Sequence, residues 1–374
     1  MGLSFLRTFN FRNLVNTAGI YFEGKEIFLI GKNGQGKTNF LEAVYYLCSG
    51  VSFRTRLKRD LIREGESEAA IFGSFIDNTG SNFSFGLEDK VKVTIKENSI
   101  GVIEKNQERV KSRIDLFFDF PVVVFSHEDM SLVKGPMELR RNFFDRTISL
   151  FEREYFESLK AYYRVLKSKN AALKSESAGL LNIYDEKLIS YGTFIMERRW
   201  ELIGRFNEVF SQVLSSIAGE LSSLRIVYEP SWKEWKERES IRRKLVNLRE
   251  REKSLGFSLS GPHRDRFYFE IEGRNFLNVA STGQIRLCAL ALKSGQARFV
   301  FERRKKRPIL LLDDVLLEVD GEKKLDFLDT LSGYDQSFFT FLPEEDFLSY
   351  KKSSTEIFCV RGGSLSEWRK QEKF

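Results

Sequence analysis

The sequence contains few of the residues that most often hold transition metals or form disulfides. Its 374 residues include three cysteines (Cys48, Cys288 and Cys359) and two histidines (His127 and His263). The cysteines are scattered through apolar stretches without a Cys-x-x-Cys pair, so neither a disulfide framework nor a thiolate zinc site is indicated. Two histidines are too few for a histidine-based metal site. We therefore expect any metal to be Mg²⁺ held by oxygen atoms and phosphate.

Long apolar runs are also missing. No run approaches the roughly 18–20 residues needed to span a bilayer. Residues 1–7 have neither a charged lead nor a long apolar core, which argues against a signal peptide. Gly2 is a poor myristoylation candidate because Phe9–Phe22 is predicted to be folded strand. Together these absences predict a cytoplasmic protein with no membrane partner.

Positive charge is in moderate excess, with a formal net charge of +7. This balance favours a polyanionic partner, although a generic basic surface is the alternative. In residues 236–254 the two signs interleave, which indicates a solvated helix face rather than a nucleic-acid patch. The sequence leaves open which of the other basic clusters would contact a polyanion. They are Arg54, Arg56, Lys58, Arg59 and Arg63; Arg303–Arg307; and Lys351 with Lys352.

The strongest single feature is a phosphate-binding loop pattern, Gly-x-x-x-x-Gly-Lys-Thr. Its glycines leave room for backbone N–H groups to wrap a polyphosphate closely. The apolar run Ile27–Ile30 predicts a buried strand before the loop, and apolar residues at helical spacing predict a helix after it. Lys37 can reach the β- and γ-phosphates, and the Thr38 hydroxyl can bind Mg²⁺. The residues predicted to bind a nucleoside triphosphate are Gly31, Lys32, Asn33, Gly34, Gln35, Gly36, Lys37 and Thr38.

A second apolar stretch ends in two acids. Pro308 precedes four apolar residues, and Asp313 and Asp314 follow them. A strand buried on both faces delivers such terminal acids to the sheet edge where ligands bind. We expect Asp313 to hold Mg²⁺, directly or through water, and Asp314 to polarise the attacking water. A solvated acidic turn is the alternative reading.

A third stretch opens a predicted helix between residues 278 and 301. Ser281 and Gln284 have the spacing of a capping box, which is a structural feature of many helices. A capped helix N-terminus with Gly283 beside it is also an anion site. Taken alone, this motif is weakly specific.

The remaining pattern predicts an α/β protein of two parts. Apolar stripes at helical spacing cover 138–166 and 180–217, which predicts a compact helical lobe over 131–255. We expect residues 1–130 and 256–374 to form the nucleotide-binding part, a mixed sheet with an antiparallel β subdomain. The predicted strands are 27–30, 71–76, 83–87, 91–95, 121–125, 224–228, 266–271, 309–312, 337–342 and 357–360, with a hairpin turn at 78–80.

The order of the three chemical stretches resembles that of ABC-type ATPases. With its other motifs, the chain resembles the RecF family of ABC/SMC-like ATPases from end to end. The Gly-Pro-His-Arg-Asp stretch, Gly261–Asp265, and the paired acids at 313–314 are particularly similar to that family. The other stretches that carry the resemblance are Asn10–Asn13, Gly31–Ala43, Val123–Met130, Leu132–Gly135, Tyr163–Lys167, Leu259–Ser260 and Ser281–Arg286.

This resemblance implies an ABC-type P-loop ATPase head with an inserted helical lobe. In that family ATP lies between two subunits, so ATP is expected to drive homodimer formation. Lys37 and Thr38 of one subunit would then face the helix that opens at Ser281 in the other, which we call the signature helix. The residues implied to approach the nucleotide from that second subunit are Ser281, Gly283 and Gln284.

The resemblance also implies DNA as the polyanionic partner. Members of the family bind duplex DNA, work at gaps and stalled forks with RecR and RecO, and help to load recombinase. Arg12 and Asn13 are expected near the nucleotide, and Glu318–Asp320 in a loop that crosses the dimer interface. The sequence leaves the preference among plain duplex, gap and junction open.

Asp314 stands where most ABC ATPases have glutamate. The shorter acid reaches less far, so we expect slow, switch-like ATP hydrolysis that DNA stimulates. The other departures from the family pattern affect rates rather than nucleotide binding. They are Lys32, Gly34, His127, Thr282 and Ile285.

Other protein classes explain less of the sequence. A transporter ATPase needs no helical lobe of this size, and an SMC-type or zinc-hook ATPase needs a far longer coiled coil. A GTPase would need an Asn-Lys-x-Asp motif, which is missing, and an ATPase–nuclease fusion would need a domain after the acidic strand. One alternative stays open: a structural clamp that uses ATP as dimer glue and does not hydrolyse it.

Overall fold

The computed structural model describes residues 1–16, 19–76, 88–98, 101–175, 178–318, 321–331 and 333–368. The predicted turn at 78–80, the predicted strand at 83–87 and part of the predicted interface loop 318–320 lie outside these ranges. The chain divides into two units. The first consists of Met1–His127 with Gln296–Phe374, and the second of Glu128–Gly295.

The described strands and helices follow the predicted order closely. The strands are β1 (Gly2–Phe9), β2 (Ile20–Tyr21), β3 (Glu26–Ile30), β4 (Glu68–Ile76), β5 (Glu88–Lys96), β6 (Val102–Lys105), β7 (Glu108–Arg109), β8 (Val122–Ser126), β9 (Arg225–Glu229), β10 (Arg266–Ile271), β11 (Arg274–Asn275), β12 (Ile309–Asp313), β13 (Gln336–Phe341), β14 (Thr355–Arg361) and β15 (Ser364–Glu367). The α-helices are α1 (Lys37–Ser49), α2 (Arg113–Asp119), α3 (Met130–Lys134), α4 (Met137–Ser149), α5 (Arg153–Leu173), α6 (Leu181–Ile217), α7 (Arg238–Leu255), α8 (Thr282–Arg304) and α9 (Gly321–Thr330).

The first unit contains two sheets. One is mixed, in the order β15-β14-β3-β13-β12-β8, and only β15 in it runs antiparallel to its neighbour. The other is antiparallel, in the order β2-β1-β4-β5-β6-β7. Every residue of β3 is buried, as expected for a parallel strand covered on both faces. The predicted mixed sheet and antiparallel subdomain are therefore confirmed.

Helix α1 connects the cores of the two sheets. Its apolar residues, including Phe40, Leu41 and Val44, share one buried cluster with Leu311 of the mixed sheet and Ile71 of the antiparallel sheet. Apolar burial contributes roughly 25 cal/mol per Å², so this shared cluster is the main source of cohesion in the first unit. The helix that carries the end of the phosphate loop is thereby fixed between two sheets.

The prediction that Phe9–Phe22 is folded strand is wrong over most of that range. β1 ends at Phe9, and the next strand, β2, contains two residues. Asn10 and Arg12 have φ values of 49° and 52°, in the left-handed region that no extended strand adopts. The chain turns there because Asn10 and Asn16 bond to each other, through backbone and side chain, at 2.7 and 3.0 Å.

The second unit combines helices with a small antiparallel sheet of order β11-β10-β9. Helices α4, α5 and α6 confirm the predicted helical stripes over 138–166 and 180–217, and α6 alone extends over 37 residues. The sequence pattern predicts that residues 256–295 belong to the nucleotide-binding part. In the structure β10 pairs along its length with β9, so this stretch clusters with the helices instead.

A buried ionic network lies inside the second unit around Arg199 of α6, which is fully buried. Its Nε donates to Asp145 Oδ1 at 2.9 Å, and its Nη1 donates to Asp265 Oδ2 and to the Pro262 carbonyl, both at 2.7 Å. The backbone N–H of Ser231 donates to the other oxygen of Asp265 at 2.8 Å. The network ties the Gly261–Asp265 loop to α4 and α6, and each charge within it is paired.

None of the helices in the described ranges is long and apolar enough to cross a membrane. Cys48, Cys288 and Cys359 are buried as free thiols. Burial raises the pKa of Cys48 and of Cys288, so both thiols are in the unreactive neutral form.

Candidate nucleotide-binding site

The phosphate-binding loop connects β3 to α1. Gly34 and Gly36 have φ values of 77° and 109°, a conformation that favours glycine. A Cβ atom on Gly36 would lie 2.8 Å from Asn13 Oδ1, and one on Gly31 would lie 2.5 Å from the Val360 carbonyl oxygen. The glycines of the motif are therefore required by the close approach of neighbouring backbone and side chains.

The structure brings the phosphate loop and the acidic strand together. Lys37 Nζ donates to the Gly31 carbonyl at 2.6 Å and lies 4.0 Å from Asp314 Oδ1. Thr38 Oγ1 donates to Asp313 Oδ1 at 2.9 Å. These residues meet because β3 and β12 lie parallel on either side of β13, so their carboxyl ends share one edge of the sheet.

A cleft of about 250 Å³ lies at this edge. It is lined by residues 32–39 together with Arg54 and Asp314, all of which belong to the first unit. Its size and its row of backbone N–H groups at a helix N-terminus suit a polyphosphate.

Thr38 and Asp313 together fit a Mg²⁺ ion. A hydroxyl and a carboxylate held 2.9 Å apart are both hard oxygen donors, the type that Mg²⁺ binds through one or two protein ligands plus phosphate and water. No cluster of three or more His, Cys, Asp or Glu residues suited to another metal occurs in the described part of the chain. Burial raises the pKa of Asp313 to about 6, and the Asp314 charge acts in the same direction. A nearby cation would lower that pKa again.

Replacing Asp313 with asparagine is expected to stabilise the nucleotide-free protein at pH 7.5. The pKa of Asp313 is raised from 3.8 to about 6, so the folded state binds the proton more tightly than the unfolded state. Proton binding therefore stabilises the folded state fully at low pH, and this stabilisation is lost as the pH rises through 6. The ionised carboxylate then costs up to about 3 kcal/mol, which asparagine avoids. Urea unfolding at pH 7.5, 6 and 4 should show an advantage for Asp313→Asn that disappears at the lowest pH. Equal stability of the two proteins at every pH would contradict a buried Asp313 carboxyl with a raised pKa.

Asn13 bonds to the phosphate loop, whereas Arg12 pairs with a carboxylate outside the loop. Asn13 Nδ2 donates to the Gly34 carbonyl at 3.3 Å. The Arg12 guanidinium forms a two-pronged pair with the buried Glu42 carboxylate, at 2.9 and 3.0 Å. Gln35 fixes the opposite side, because its carbonyl and its side-chain Oε1 accept N–H groups from the turn that follows β14. Of the two residues predicted from the resemblance, only Asn13 contacts the phosphate loop directly.

Sequence reasoning missed several residues of the cleft. Arg54 lines it and donates from Nη1 to Asn39 Oδ1 at 2.7 Å, with Glu42 Oε2 at 3.4 Å. Thr340, at the end of β13, accepts the Asp314 N–H at 2.7 Å and donates to the Asp314 carboxylate at 2.8 Å. The charged Glu42 among the apolar residues of α1 could have indicated a cationic partner such as Arg54. No sequence pattern indicated Thr340, because its contact with Asp314 depends on the order of the strands in the sheet.

The signature helix begins as predicted. The Ser281 N–H donates to Gln284 Oε1 at 3.0 Å, and the Gln284 N–H donates to Ser281 Oγ at 3.2 Å, so the capping box is confirmed. Ser281 and Gly283 are exposed. These residues belong to the second unit, whereas the phosphate loop belongs to the first.

The predicted basic clusters are partly used inside the protein. Arg304 donates to the carbonyls of Phe117 and Phe118, and Lys306 donates to the Asp119 carbonyl at 2.9 Å, which satisfies the C-terminus of α2. Lys352 Nζ lies 3.3 Å from the buried Glu26 carboxylate. Stretch 236–254 forms α7 with interleaved ion pairs, as predicted.

Comparison with known proteins agrees with this architecture. A family model described as the RecF/RecN/SMC N terminal domain matches residues 3–362. The chain is 35% identical to the DNA replication and repair protein RecF of Treponema pallidum over 363 residues, which is 96% of this chain and 99% of that protein. The chain belongs to the RecF family. A RecF protein of Leptospira interrogans is 32% identical over 98% of this chain and 99% of its own length.

Solved structures of RecF proteins have the same fold. A recombination mediator protein RecF with ATP, described as part of the RecFOR pathway, superposes with a TM-score of 0.86 at 30% identity, over 98% of this chain and 97% of that one. An Smc head bound to the C-winged helix domain of ScpA gives a TM-score of 0.54 at 12% identity over 98% and 97% of the two chains, a likeness of fold alone. The predicted α/β class, an ABC-type ATPase head with an inserted helical lobe, is confirmed for this member of the RecF family.

Proposed function

We propose that the chain is an ATP-dependent DNA-binding protein of recombinational repair and replication restart. ATP would join two copies around duplex DNA near gaps, where the protein would help to load recombinase. The observation that carries the proposal is the meeting of Lys37, Thr38 and Asp314 in one cleft, with Asp313 bonded to Thr38. Support for the DNA role comes from relatives that are RecF proteins of DNA replication and repair over nearly the whole chain.

Each residue of the cleft has a role in this proposal. The N–H groups of residues 31–36 bind the β-phosphate region, and Lys37 neutralises the β- and γ-phosphates. Thr38 and Asp313 would hold Mg²⁺, which would supply charge stabilisation for phosphoryl transfer. Asp314 orients water for attack, with its carboxylate fixed by the Thr340 hydroxyl at 2.8 Å.

The second half of the site would come from another copy of the chain. Ser281, Gly283 and Gln284 lie at an exposed, capped helix N-terminus, which supplies N–H donors and a partial positive charge. In a homodimer that helix would face the γ-phosphate bound by its partner, so ATP would hold the two copies together. RecR and RecO are the protein partners we propose, because the RecF structures belong to the RecFOR pathway.

A clamp without hydrolysis is the second candidate. Asp314 is one methylene shorter than glutamate, and the Thr340 hydroxyl holds its carboxylate close to β13 at 2.8 Å. If it cannot reach the attacking water, ATP would act as dimer glue only. Stoichiometric ATP binding without phosphate release, with and without duplex DNA, would favour this candidate.

Changing Asp314 to glutamate is expected to raise phosphate release by about tenfold in the presence of duplex DNA, because the longer acid reaches the water. Asp314→Asn, which lacks a basic oxygen pair, is expected to bind ATP and lower turnover by about 100-fold. Single-turnover phosphate release measures both. A rate for Asp314→Glu within twofold of the unchanged protein would argue against a reach-limited base.

A further inference from the structure

The Gly261–Asp265 loop presents an arginine whose positive charge is not neutralised by an acid. Arg264 is exposed; its Nη2 donates to the Ser258 carbonyl at 3.3 Å, and its guanidinium lies 5.3 Å from the centre of the Phe257 ring. Arg141 of α4 donates from Nη1 to the carbonyl of Asp265, the next residue in the chain after Arg264, at 2.9 Å. Within the described residues neither guanidinium forms an ion pair with a carboxylate, and the buried Asp145 and Asp265 charges act on Arg141 from a longer distance. Two planar cations are therefore held by backbone carbonyls of residues 258 and 265.

Helix α5 adds an exposed aromatic ring and a further cation to this surface. Tyr163 is 41% exposed, and Lys167, one turn later on the same face, is also exposed. Burial raises the pKa of Tyr163, whereas the Arg199 and Arg141 charges lower it, so Tyr163 lies within electrostatic reach of Arg141. We call Arg141, Tyr163, Lys167 and Arg264 the Arg264 platform. The buried acid Asp145 and the exposed acid Glu138 also act on Tyr163 and raise its pKa.

Three cations of α7 in the same unit, in contrast, form ion pairs. Arg242 pairs with Glu186 and Glu239, Arg249 pairs with Asp185, and Lys253 pairs with Glu250. Those three cations are neutralised by neighbouring acids. The platform, in contrast, keeps an excess of positive charge at one place, which is the electrostatic footprint of a polyanion site.

The interior of the second unit holds the platform rigidly. Tyr162 OH donates to His263 Nδ1 at 2.7 Å, and His263 Nε2 donates to the Ser258 carbonyl at 3.2 Å, the same oxygen that Arg264 contacts. Burial lowers the pKa of His263 to about 4, so this ring is neutral and keeps both bonds at physiological pH. Arg199 fixes the Gly261–Asp265 loop because it donates to the Pro262 carbonyl and to the Asp265 carboxylate. A site whose cations are preorganised loses less conformational entropy on binding.

We propose that the Arg264 platform binds the phosphodiester backbone of DNA. Arg141 and Arg264 offer rigid forks that match phosphate oxygens, and Lys167 adds a point charge. The Tyr163 ring packs on a deoxyribose or on an unpaired base between them. This inference rests on the proposed function, since it names the surface by which that function would hold DNA. Duplex and single strand offer the same backbone chemistry.

The test compares two double variants of the full chain with equal loss of charge. Arg264→Gln with Lys167→Gln removes two platform cations, and Arg242→Gln with Lys253→Gln removes two paired cations from α7. Each is titrated with fluorescent 40-mer duplex, single-stranded and gapped DNA, with Mg²⁺ and ATP, from 50 to 200 mM salt. The platform variant is expected to bind about 10- to 100-fold more weakly, with the slope of log affinity against log salt reduced by about two. The α7 variant should stay within about twofold.

The outcomes separate the inference from the function beneath it. Loss on the duplex arm, the single-strand arm or both supports the platform and tells which form it holds. Equal affinity and slope for all three proteins would overturn the platform and leave the proposed function standing. An unchanged chain that binds no DNA would overturn both. If Arg264→Gln unfolds early, Lys167→Gln alone should reduce the slope by about one.

Discussion

Replacing Arg199 with leucine is expected to lower the free energy of unfolding by about 3–5 kcal/mol, enough to leave much of the second unit unfolded at 37 °C. Leucine would leave the buried carboxylates of Asp145 and Asp265 without their cation, and the Pro262 carbonyl without a donor. The cost comes from these stranded groups more than from any net gain of the original ion pairs. Urea unfolding followed by circular dichroism measures it.

Arg198 supplies the matched control, because it is the preceding residue on α6. Its ion pairs with Glu152 and Glu201 lie at the surface, where its side chain is 32% exposed. Arg198→Leu is therefore expected to cost less than about 1 kcal/mol. Similar losses for the two variants would mean that burial of the Arg199 network does not determine its importance.

Replacing Lys37 with methionine is expected to lower ATP affinity by about 100-fold, since a charged hydrogen bond contributes roughly 1.5–3 kcal/mol and the lysine is almost fully buried in the cleft. Lys25→Met is the matched control, because exposed Lys25 lies just before β3, at the opposite end of the same strand. A fluorescent ATP analogue titrated into both variants gives the affinities. Equal affinity for the two variants would exclude the loop as the phosphate site.

The parts of the site that lie close together in sequence could be predicted. The loop at 31–38 is a local motif, and its flanking apolar runs determine the strand and helix on either side. The acids at 313 and 314 could be assigned to a sheet edge because buried strands end where ligands bind. The capping box of Ser281 and Gln284 was likewise a property of four consecutive residues.

The parts that depend on tertiary contacts could not be predicted. Arg12 was expected near the nucleotide, but its guanidinium pairs with Glu42, thirty residues away. Arg54 resembled a surface cation, yet it lines the cleft and donates a hydrogen bond to Asn39. The pairing of β9 with β10 across the whole of α7 keeps residues 256–271 with the helices. Each case rests on long-range pairing that no local pattern records.

The central claim is that two copies of the chain share ATP between the phosphate loop of one and the Ser281 helix of the other. The most direct measurement is the molar mass by light scattering with no nucleotide, with ADP and with ATP, for the unchanged chain, Lys37→Met and Lys25→Met. We predict a monomer that becomes a dimer with ATP alone, in the unchanged chain and in Lys25→Met but not in Lys37→Met. A monomer under every condition would contradict the shared site and leave the Ser281 helix with only its structural cap.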